Sequence, residues 1–153
     1  MDNAAIADNF SLLAKLMDIH GENSFKTRTY GAAGFNIEKL PVSLKDTPRE
    51  KLFSIKGIGP SVGEKVIEML ETGKLEILEE YIASTPPGVI EMLNIKGIGP
   101  KKIHTIWKEM GIESIGELQY ACHENRLTRY KGFGEKTQQN VLESIQFYLQ
   151  HQG

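Results

Sequence analysis

The spacing of apolar residues predicts helices along almost the whole chain. Apolar side chains recur every three or four residues, which is the period of an α-helix. The stretches with this spacing are 4–19, 25–40, 62–73, 75–83, 89–93, 103–111, 114–124 and 141–149. No segment of useful length shows the apolar–polar alternation that is typical of a strand. We therefore expect an all-α fold.

Start and stop signals refine this pattern. Residues 47–50 (Thr-Pro-Arg-Glu) combine a cap residue, a proline and a glutamate in the order favoured at a helix start. They predict a short helix that opens at Thr47 and runs to about Ile55. Ser114 is the expected cap of a later helix, and Gly73 is an expected helix end.

One hexapeptide occurs twice, and a looser copy of it occurs a third time. Ile-Lys-Gly-Ile-Gly-Pro stands at 55–60 and at 95–100, and Tyr-Lys-Gly-Phe-Gly-Glu stands at 130–135. These segments are termed the first, second and third glycine turns. Each lies between a short predicted helix and a longer one, which is a helix–hairpin–helix arrangement. A solenoid would repeat its packing positions instead, whereas here the turn is the repeated part.

Each glycine turn is a candidate phosphate site. Glycine allows positive φ angles and leaves room for another chain to approach the backbone. The helix that follows presents unpaired N–H groups and the positive end of its dipole. A lone turn of this kind more often only reverses the chain, but three with flanking lysines favour contact with a phosphate backbone. The candidate donors are the N–H groups of Gly57, Gly59, Ser61, Gly97, Gly99, Lys102, Gly132, Gly134 and Lys136.

The distribution of charge supports this interpretation, although the net charge is −2. Residues 68–91 are acidic, whereas lysines and arginines gather near the second and third glycine turns. Phosphate contacts carry no base information, so the predicted binding is independent of DNA sequence and is weakened by salt. The basic residues expected to contact the backbone there are Lys96, Lys101, Arg126, Arg129 and Lys131.

The composition excludes several other classes of protein. A single cysteine, Cys122, rules out an internal disulfide framework and a cysteine-cluster zinc site. The histidines share no metal-ligand spacing with carboxylates, so surface or capping roles are expected for them. No apolar run reaches membrane-spanning length, which predicts a cytoplasmic protein without a membrane partner. Cys122 and Trp107 lie on apolar stripes and are expected in the core.

The strongest internal boundary signal is the helix breaker at residues 85–88, Thr-Pro-Pro-Gly. The first glycine turn lies before this breaker, and the other two lie after it. We therefore expect two small helical subdomains, 1–86 and 87–153, built from tandem helix–hairpin–helix modules.

The whole chain, and not only its turns, resembles the N-terminal region of bacterial family X DNA polymerases. The segments that carry the resemblance are 21–30 (Gly-Glu-Asn-Ser-Phe-Lys-Thr-Arg-Thr-Tyr), 37–41 (Ile-Glu-Lys-Leu-Pro), 63–66 (Gly-Glu-Lys-Val), 72–75 (Thr-Gly-Lys-Leu), 86–88 (Pro-Pro-Gly) and 131–137 (Lys-Gly-Phe-Gly-Glu-Lys-Thr). The resemblance implies that 1–86 is a lyase-type domain that binds the 5′-phosphate side of a DNA gap. It also implies that 87–153 is a fingers-type subdomain that binds the upstream duplex. Gapped or nicked double-stranded DNA is therefore the expected partner.

The resemblance also assigns a chemical role to Lys65. This residue stands where lyase-active relatives have a Schiff-base lysine, whose amine attacks C1′ of a 5′-deoxyribose phosphate before β-elimination frees the DNA 5′ end. Lys26 and Tyr30 match positions that hold the 5′-phosphate and order the pocket, and Lys74 adds positive charge nearby.

Two departures from the animal lyases leave the role of Lys65 open. Those relatives have a second lysine where this chain has Ser61, and a histidine where it has Phe25. A lysine is also a poor nucleophile unless burial or nearby cations favour its neutral form. Three alternatives therefore stand: an active lyase, a phosphate contact without chemistry, and an ordinary surface lysine.

The family resemblance limits the cofactors expected in this chain. It implies that backbone carbonyls hold a monovalent cation, Na⁺ or K⁺, which helps to bridge the turn to phosphate; these carbonyls are those of Ile55, Ile58, Ile95 and Ile98. No other cofactor is expected here. Mg²⁺ belongs to the palm domain of the family, and this chain has no aspartate after Asp46, so it is not expected to polymerise alone.

The expected function is DNA binding at gaps and 5′-phosphate ends during base excision and gap-filling repair. The chain is expected to be part of a nucleoid-associated cytoplasmic polymerase whose palm and C-terminal phosphoesterase domains are its partners. A helix–hairpin–helix glycosylase would need a catalytic aspartate beyond a hairpin, and none follows Asp46. A non-catalytic DNA-binding or protein-scaffold module remains the alternative.

Overall fold

A computed structural model describes residues 1–152, and all regular structure in that range is helical. The helices are α1 (Asn3–Ile19), α2 (Ser24–Glu38), α3 (Arg49–Leu52), α4 (Pro60–Thr72), α5 (Glu76–Ala83), α6 (Pro87–Glu91), α7 (Pro100–His104), α8 (Ile115–His123) and α9 (Glu135–His151). Short 3₁₀ turns lie at Leu44–Asp46, Met92–Asn94 and Leu127–Arg129, and a π-helical turn at Thr105–Glu109 continues α7. The all-α prediction is confirmed. Within this range, no helix combines the length and apolar character needed to cross a membrane.

The chain divides into two compact units. The first unit comprises Met1–Asp18 and Glu22–Ser84, and the second comprises Ile19–Gly21 and the chain from Thr85 onward. The division at Thr85 falls in the proline-rich breaker of the sequence. The three residues that follow Asp18 belong to the second unit, a feature that no local sequence signal indicates. The lyase-type and fingers-type assignments of the two halves stay predictions.

The core of the first unit forms where α1, α2 and α4 bury their apolar faces. Phe10 and Tyr30 stack nearly parallel with ring centroids 6.0 Å apart, and Val66 and Met69 are fully buried. Burial of a large apolar side chain contributes about 1.5–3 kcal/mol, so these faces hold the first glycine turn in place. Gly34 lets α2 approach α1 closely, because a Cβ there would lie 2.9 Å from the Ala7 carbonyl oxygen.

The core of the second unit is built from the apolar faces around its two glycine turns. Its fully buried side chains include Met92, Ile103, Leu118 and Ile145. Cys122 is also buried, as predicted, and burial raises the pKa of its thiol to about 11. Cys122 therefore stays a protonated, apolar packing residue at neutral pH.

Trp107 is not a core residue, contrary to the prediction. Its ring is half-buried, and its Nε1–H donates to Glu113 Oε2 at 3.1 Å. His20 packs edge-on against this ring with centroids 5.0 Å apart. The indole N–H needs a polar partner, and its partner Glu113 is exposed. Trp107 therefore stays at the edge of the core rather than inside it.

The predicted helix ends are partly right. The Ser114 side chain accepts a hydrogen bond from the Glu117 N–H at 3.1 Å, and Gly73 closes α4 with a φ of 77°. The prediction for α3 is wrong: its cap position is Pro48 rather than Thr47, and the helix ends at Leu52. Thr47 instead donates its hydroxyl to the Ser43 carbonyl at 2.8 Å, within the 3₁₀ turn that precedes it.

Replacement of Gly88 by alanine is expected to destabilise the second unit by about 3 kcal/mol. A Cβ on Gly88 would overlap the Glu113 carbonyl oxygen and lie 3.0 Å from the Ser114 Cα, so α6 and the start of α8 would have to move apart. Overpacking costs about 1–3 kcal/mol, and an overlap with backbone falls at the upper end because backbone yields least.

Urea unfolding followed by circular dichroism measures this loss. Gly116→Ala is the matched control, because a Cβ on this exposed glycine of α8 would have only the Ser114 hydroxyl nearby, at 4.0 Å. The control should be as stable as the unsubstituted chain or more stable by up to about 1 kcal/mol, because alanine is a better helix former than glycine. Equal stability of the two variants would contradict the close packing at Gly88.

Candidate nucleic-acid interface

The three glycine turns have the same backbone conformation. The first glycine of each turn has a positive φ: 94° at Gly57, 95° at Gly97 and 90° at Gly132. The second glycine is extended, with φ and ψ of −86° and −174° at Gly59, and −93° and 179° at Gly99. Gly134 follows with −83° and 178°. The repeat in the sequence therefore corresponds to a repeated backbone conformation, which the looser third copy also adopts.

A single internal hydrogen bond closes each turn and leaves the glycine N–H groups unused. The closing bond runs from the fourth residue to the first, as in Ile58 N–H to Ile55 O at 3.0 Å and Phe133 N–H to Tyr130 O at 3.1 Å. Within residues 1–152, the N–H groups of the two glycines in each turn donate no hydrogen bond. The helix that begins next has glycine at its cap position and no side-chain cap. Unpaired donors at an exposed helix start suit an anion.

The residue between the two glycines holds each turn against the core. Ile58, Ile98 and Phe133 are 4%, 5% and 3% exposed, whereas the glycines beside them are exposed. The apolar residue therefore faces inward and turns the glycine backbone toward solvent. This is the geometry expected of a phosphate-binding turn.

The supports beneath the turns differ. A Cβ on Gly57 would lie 3.2 Å from the Asn36 amide nitrogen, and the Phe53 ring covers Gly63 in the helix that follows the first turn. In the third turn the buried Gln138 accepts a hydrogen bond from the Leu127 N–H at 3.1 Å and donates one to Asn125 Oδ1 at 2.8 Å.

Sequence reasoning missed these supports. The one signal in the sequence was a polar residue, Gln138, three positions before Val141 on the apolar stripe of α9. That spacing places the amide on the inward face of the helix.

The predicted basic residues fall into two groups. Most are exposed near the turns or beside Tyr30: Lys26, Lys96, Lys101, Arg129, Lys131 and Lys136. Lys74 is also exposed, but it follows the C-terminal end of α4, about 20 Å along that helix from the first glycine turn, so it does not add charge there as predicted. Lys102 and Arg126 are half-buried and engaged with other side chains. Lys102 Nζ, on α7 just after the second glycine turn, lies 5.7 Å from the centroid of the Phe133 ring of the third turn, so a side-chain contact links these two regions of the second unit. Arg126 Nε lies 3.5 Å from Glu124 Oε1, so its charge is partly compensated.

The structure brings Lys65, Tyr30 and Ser61 together in the first unit. Lys65 is half-buried on α4, and its Nζ lies 5.2 Å from the centroid of the Tyr30 ring. The Tyr30 hydroxyl lies 3.4 Å from Ser61 Oγ, one residue beyond Pro60 at the start of the same helix. Tyr30 of α2 thus joins Ser61 and Lys65 of α4 in one cluster beside the first glycine turn.

Positive charge and hydrogen bonding dominate the electrostatics of this cluster. Burial acts to raise the pKa of Tyr30, but the hydrogen bond to Ser61, the polar contact with Lys65 and the charges of Lys65 and Lys26 outweigh it and lower that pKa. An environment that favours a phenolate also favours other anions. The cluster therefore suits a phosphate group beside Lys65.

The carbonyl groups predicted to hold a cation differ in their hydrogen bonding. The Ile55 and Ile95 carbonyls each accept the closing bond of their turn, at 3.0 and 3.4 Å. The Ile58 and Ile98 carbonyls accept no hydrogen bond within residues 1–152. A carbonyl has two lone pairs, so all four oxygens retain capacity for a monovalent cation. The cation would supply positive charge beside a bound phosphate. In the same range, histidine, cysteine and acidic side chains form no metal-binding group.

Comparison with known proteins gives the same picture. Residues 1–75 match the helix-hairpin-helix domain family, and residues 89–146 match the SAM-like helix-hairpin-helix tandem family. The chain is 29% identical over 133 residues to the DNA polymerase/3′-5′ exonuclease PolX of Bacillus subtilis (strain 168), a match that covers 87% of this chain and 23% of the relative. It is 33% identical over 148 residues to DNA polymerase lambda of Rattus norvegicus, covering 94% of this chain and 24% of the relative.

The fold and the turns therefore define a chain of helix–hairpin–helix domains, and the matches support DNA binding as its general function. The chain is the helix–hairpin–helix region of a family X DNA polymerase, as its sequence motifs predicted. It spans about a quarter of the length of the curated relatives that it matches.

Proposed function

We propose that the chain binds the sugar–phosphate backbone of double-stranded DNA through its three glycine turns, without preference for base sequence. The observation that carries this proposal is the shared geometry of the turns, each of which exposes unpaired glycine N–H groups beside lysine. Backbone N–H groups and lysines contact phosphate oxygens and do not read bases. Three such contacts fit a regularly spaced chain of phosphates better than a single small anion.

We further propose that the DNA is gapped, as in base excision and gap-filling repair by a family X polymerase. The first unit would hold the downstream 5′-phosphate, because Lys26, Tyr30 and Lys65 create a positive site beside its glycine turn. The second unit would hold the upstream duplex through the second and third turns, whose regions are linked by the contact of Lys102 with Phe133. The relatives are named as DNA polymerases, which supports this role.

DNA affinity should fall steeply with salt. Three turns that neutralise one or two phosphates each give about three to six released counterions, and affinity should then drop about 40-fold or more between about 50 and 200 mM salt. Fluorescence anisotropy with a labelled duplex measures this change. Affinity that is independent of salt would contradict phosphate contacts. Absence of DNA binding at low salt would instead favour a protein scaffold.

A 5′-phosphorylated gap should bind more tightly than the same gap with a 5′-hydroxyl. Lys26→Ala should reduce this preference by about tenfold or more, because a charge-assisted contact contributes about 1.5–3 kcal/mol and about 1.4 kcal/mol is tenfold in affinity. Lys45→Ala is the matched control, since it removes an exposed lysine of the same unit away from the cluster. Equal affinity for the two gaps would contradict the 5′-phosphate role and leave the backbone-binding role intact.

A second candidate function, 5′-deoxyribose-phosphate lyase, is favoured by the cluster around Lys65. The Lys65 amine would add to C1′ of the open sugar and lose water to form an imine. Elimination would then break the C3′–O bond and release DNA with a 5′-phosphate. The half-burial of Lys65 and the presence of a second cation, Lys26, near Tyr30 support this proposal. Borohydride trapping of the imine tests it.

A further inference from the structure

The second unit contains a groove that extends from the second glycine turn beyond the proposed backbone contacts. It has a volume of about 700 Å³ and lies between the second glycine turn and the C-terminal half of α9. Its lining includes Asn94, Lys96 and Gly97 on one side and Asn140, Ser144 and Phe147 on the other. We propose that this groove holds one unpaired nucleotide of a DNA strand whose phosphate lies at the second glycine turn. This inference rests on the proposed backbone binding and extends it.

The size and position of the groove fit this occupant. Small-molecule sites usually measure about 300–1,000 Å³, a range that includes a nucleotide. Lys96 and Gly97 belong both to the groove and to the second glycine turn. A phosphate at that turn would therefore place the attached sugar and base at the mouth of the groove.

Phe147 supplies a surface on which a base can stack. Its side chain is 63% exposed although it is large and apolar, and its ring stacks against His151 with centroids 4.1 Å apart. The helix that carries it is fixed, because the Tyr148 hydroxyl donates to Glu91 Oε2 at 2.9 Å. Exposed aromatic rings beside a positive backbone site are the common means of binding single-stranded nucleic acid, and they accept any base.

The polar groups of the groove match the edges of a base. Asn94, Asn140 and Ser144 offer donors and acceptors in the same groove as Phe147. Glu143 also lines the groove, and its Oε1 accepts a hydrogen bond from Gln139 at 3.2 Å. Its other oxygen can accept from an exocyclic amino group. The Asn94 amide already donates to the Glu91 carbonyl at 3.1 Å, but an apolar helix of a protein partner would give Lys96 and the Asn140 amide nothing to bind, so the nucleotide is favoured.

The experiment compares two overhangs that have the same phosphates. One labelled duplex carries a short single-stranded thymidine overhang, and the other carries abasic residues in its place. The unsubstituted chain should bind the thymidine overhang about tenfold more tightly, the effect expected of stacking one base on an aromatic ring. Phe147→Ala should remove this preference without changing affinity for the abasic overhang. Phe147→Trp should keep the preference.

Leu149→Ala is the matched control. Leu149 is 43% exposed on the same helix and does not line the groove, so the preference should survive its removal. Equal binding of the two overhangs by the unsubstituted chain, with duplex binding intact, would overturn the proposal but not the backbone-binding function. The groove would then fit an apolar helix of a protein partner. Failure of the unsubstituted chain to bind either DNA would overturn both this proposal and the backbone-binding function. Circular dichroism checks that each variant is folded.

Discussion

A variant with alanine at Gly59, Gly99 and Gly134 is expected to remain folded and to lose DNA affinity by about 1,000-fold. A methyl group on each glycine would hold the phosphate away from the turn N–H groups. A hydrogen bond to a charged group contributes about 1.5–3 kcal/mol, and a loss of about 1.4 kcal/mol is tenfold in affinity. Each turn should thus lose about tenfold, and the losses should multiply where the sites act independently.

The fold should survive because these three positions do not need glycine for their own conformation. All three are extended, and a Cβ at any of them has no other atom within 4 Å. Alanine also reduces the freedom of the unfolded chain, so stability should change by less than about 1 kcal/mol for each substitution. The first glycines of the turns, by contrast, have positive φ and would be strained by any side chain.

Anisotropy titration with duplex DNA and urea unfolding together check this prediction. Gly116→Ala is the control, because it adds the same methyl group to an exposed glycine away from the turns. Unchanged affinity in the triple variant would show that phosphate does not approach the glycine backbone. An unfolded triple variant would contradict the open space seen at these positions.

Lys65→Ala and Lys65→Arg are expected to abolish the covalent adduct that borohydride forms with incised abasic-site DNA. Only a primary amine can form the imine that borohydride reduces, so arginine keeps the positive charge but not the chemistry. Lys65→Arg should therefore still bind DNA. Denaturing gel electrophoresis of labelled DNA after borohydride treatment measures the adduct.

Lys15→Ala is the matched control for this experiment, since Lys15 is an exposed lysine of the same unit on α1. Its adduct should equal that of the unsubstituted chain. An adduct that persists in Lys65→Arg would assign the nucleophile to another amine. No adduct in the unsubstituted chain would overturn the lyase proposal and leave Lys65 as a phosphate contact or an ordinary surface lysine, with DNA binding unaffected.

Sequence reasoning succeeded where the signal is local. The glycine turns, the Ser114 cap and the Gly73 helix end each depend on a few adjacent residues, and all three formed as expected. It failed at α3, where the Thr47 hydroxyl donates to the Ser43 carbonyl of the preceding turn and Pro48 stands at the cap position of the helix. A Ser, Thr, Asn or Asp side chain can hydrogen-bond to several nearby backbone groups, and the sequence does not determine which of these bonds forms.

The candidate site shows the same division between local and distant information. The donors of each turn could be predicted from the hexapeptide. The meeting of Lys65 with Tyr30 came from family resemblance, since the two residues lie on different helices. The contact of Gly88 with Glu113 and the groove at Phe147 depend on packing between distant segments, which periodicity does not report.

The unequal supports beneath the three turns affect how such a chain can evolve. The corresponding positions after the three turns are Gly63, which packs against the Phe53 ring, the buried Ile103 and the buried Gln138, yet the backbone of the three turns is the same. A mutation in the support of one glycine turn is therefore expected to disturb that turn and leave the other two unaffected. Repeated hairpins of this kind can therefore accumulate substitutions in their supporting residues independently, and the shape of each turn persists as long as it keeps its first glycine, the one with positive φ.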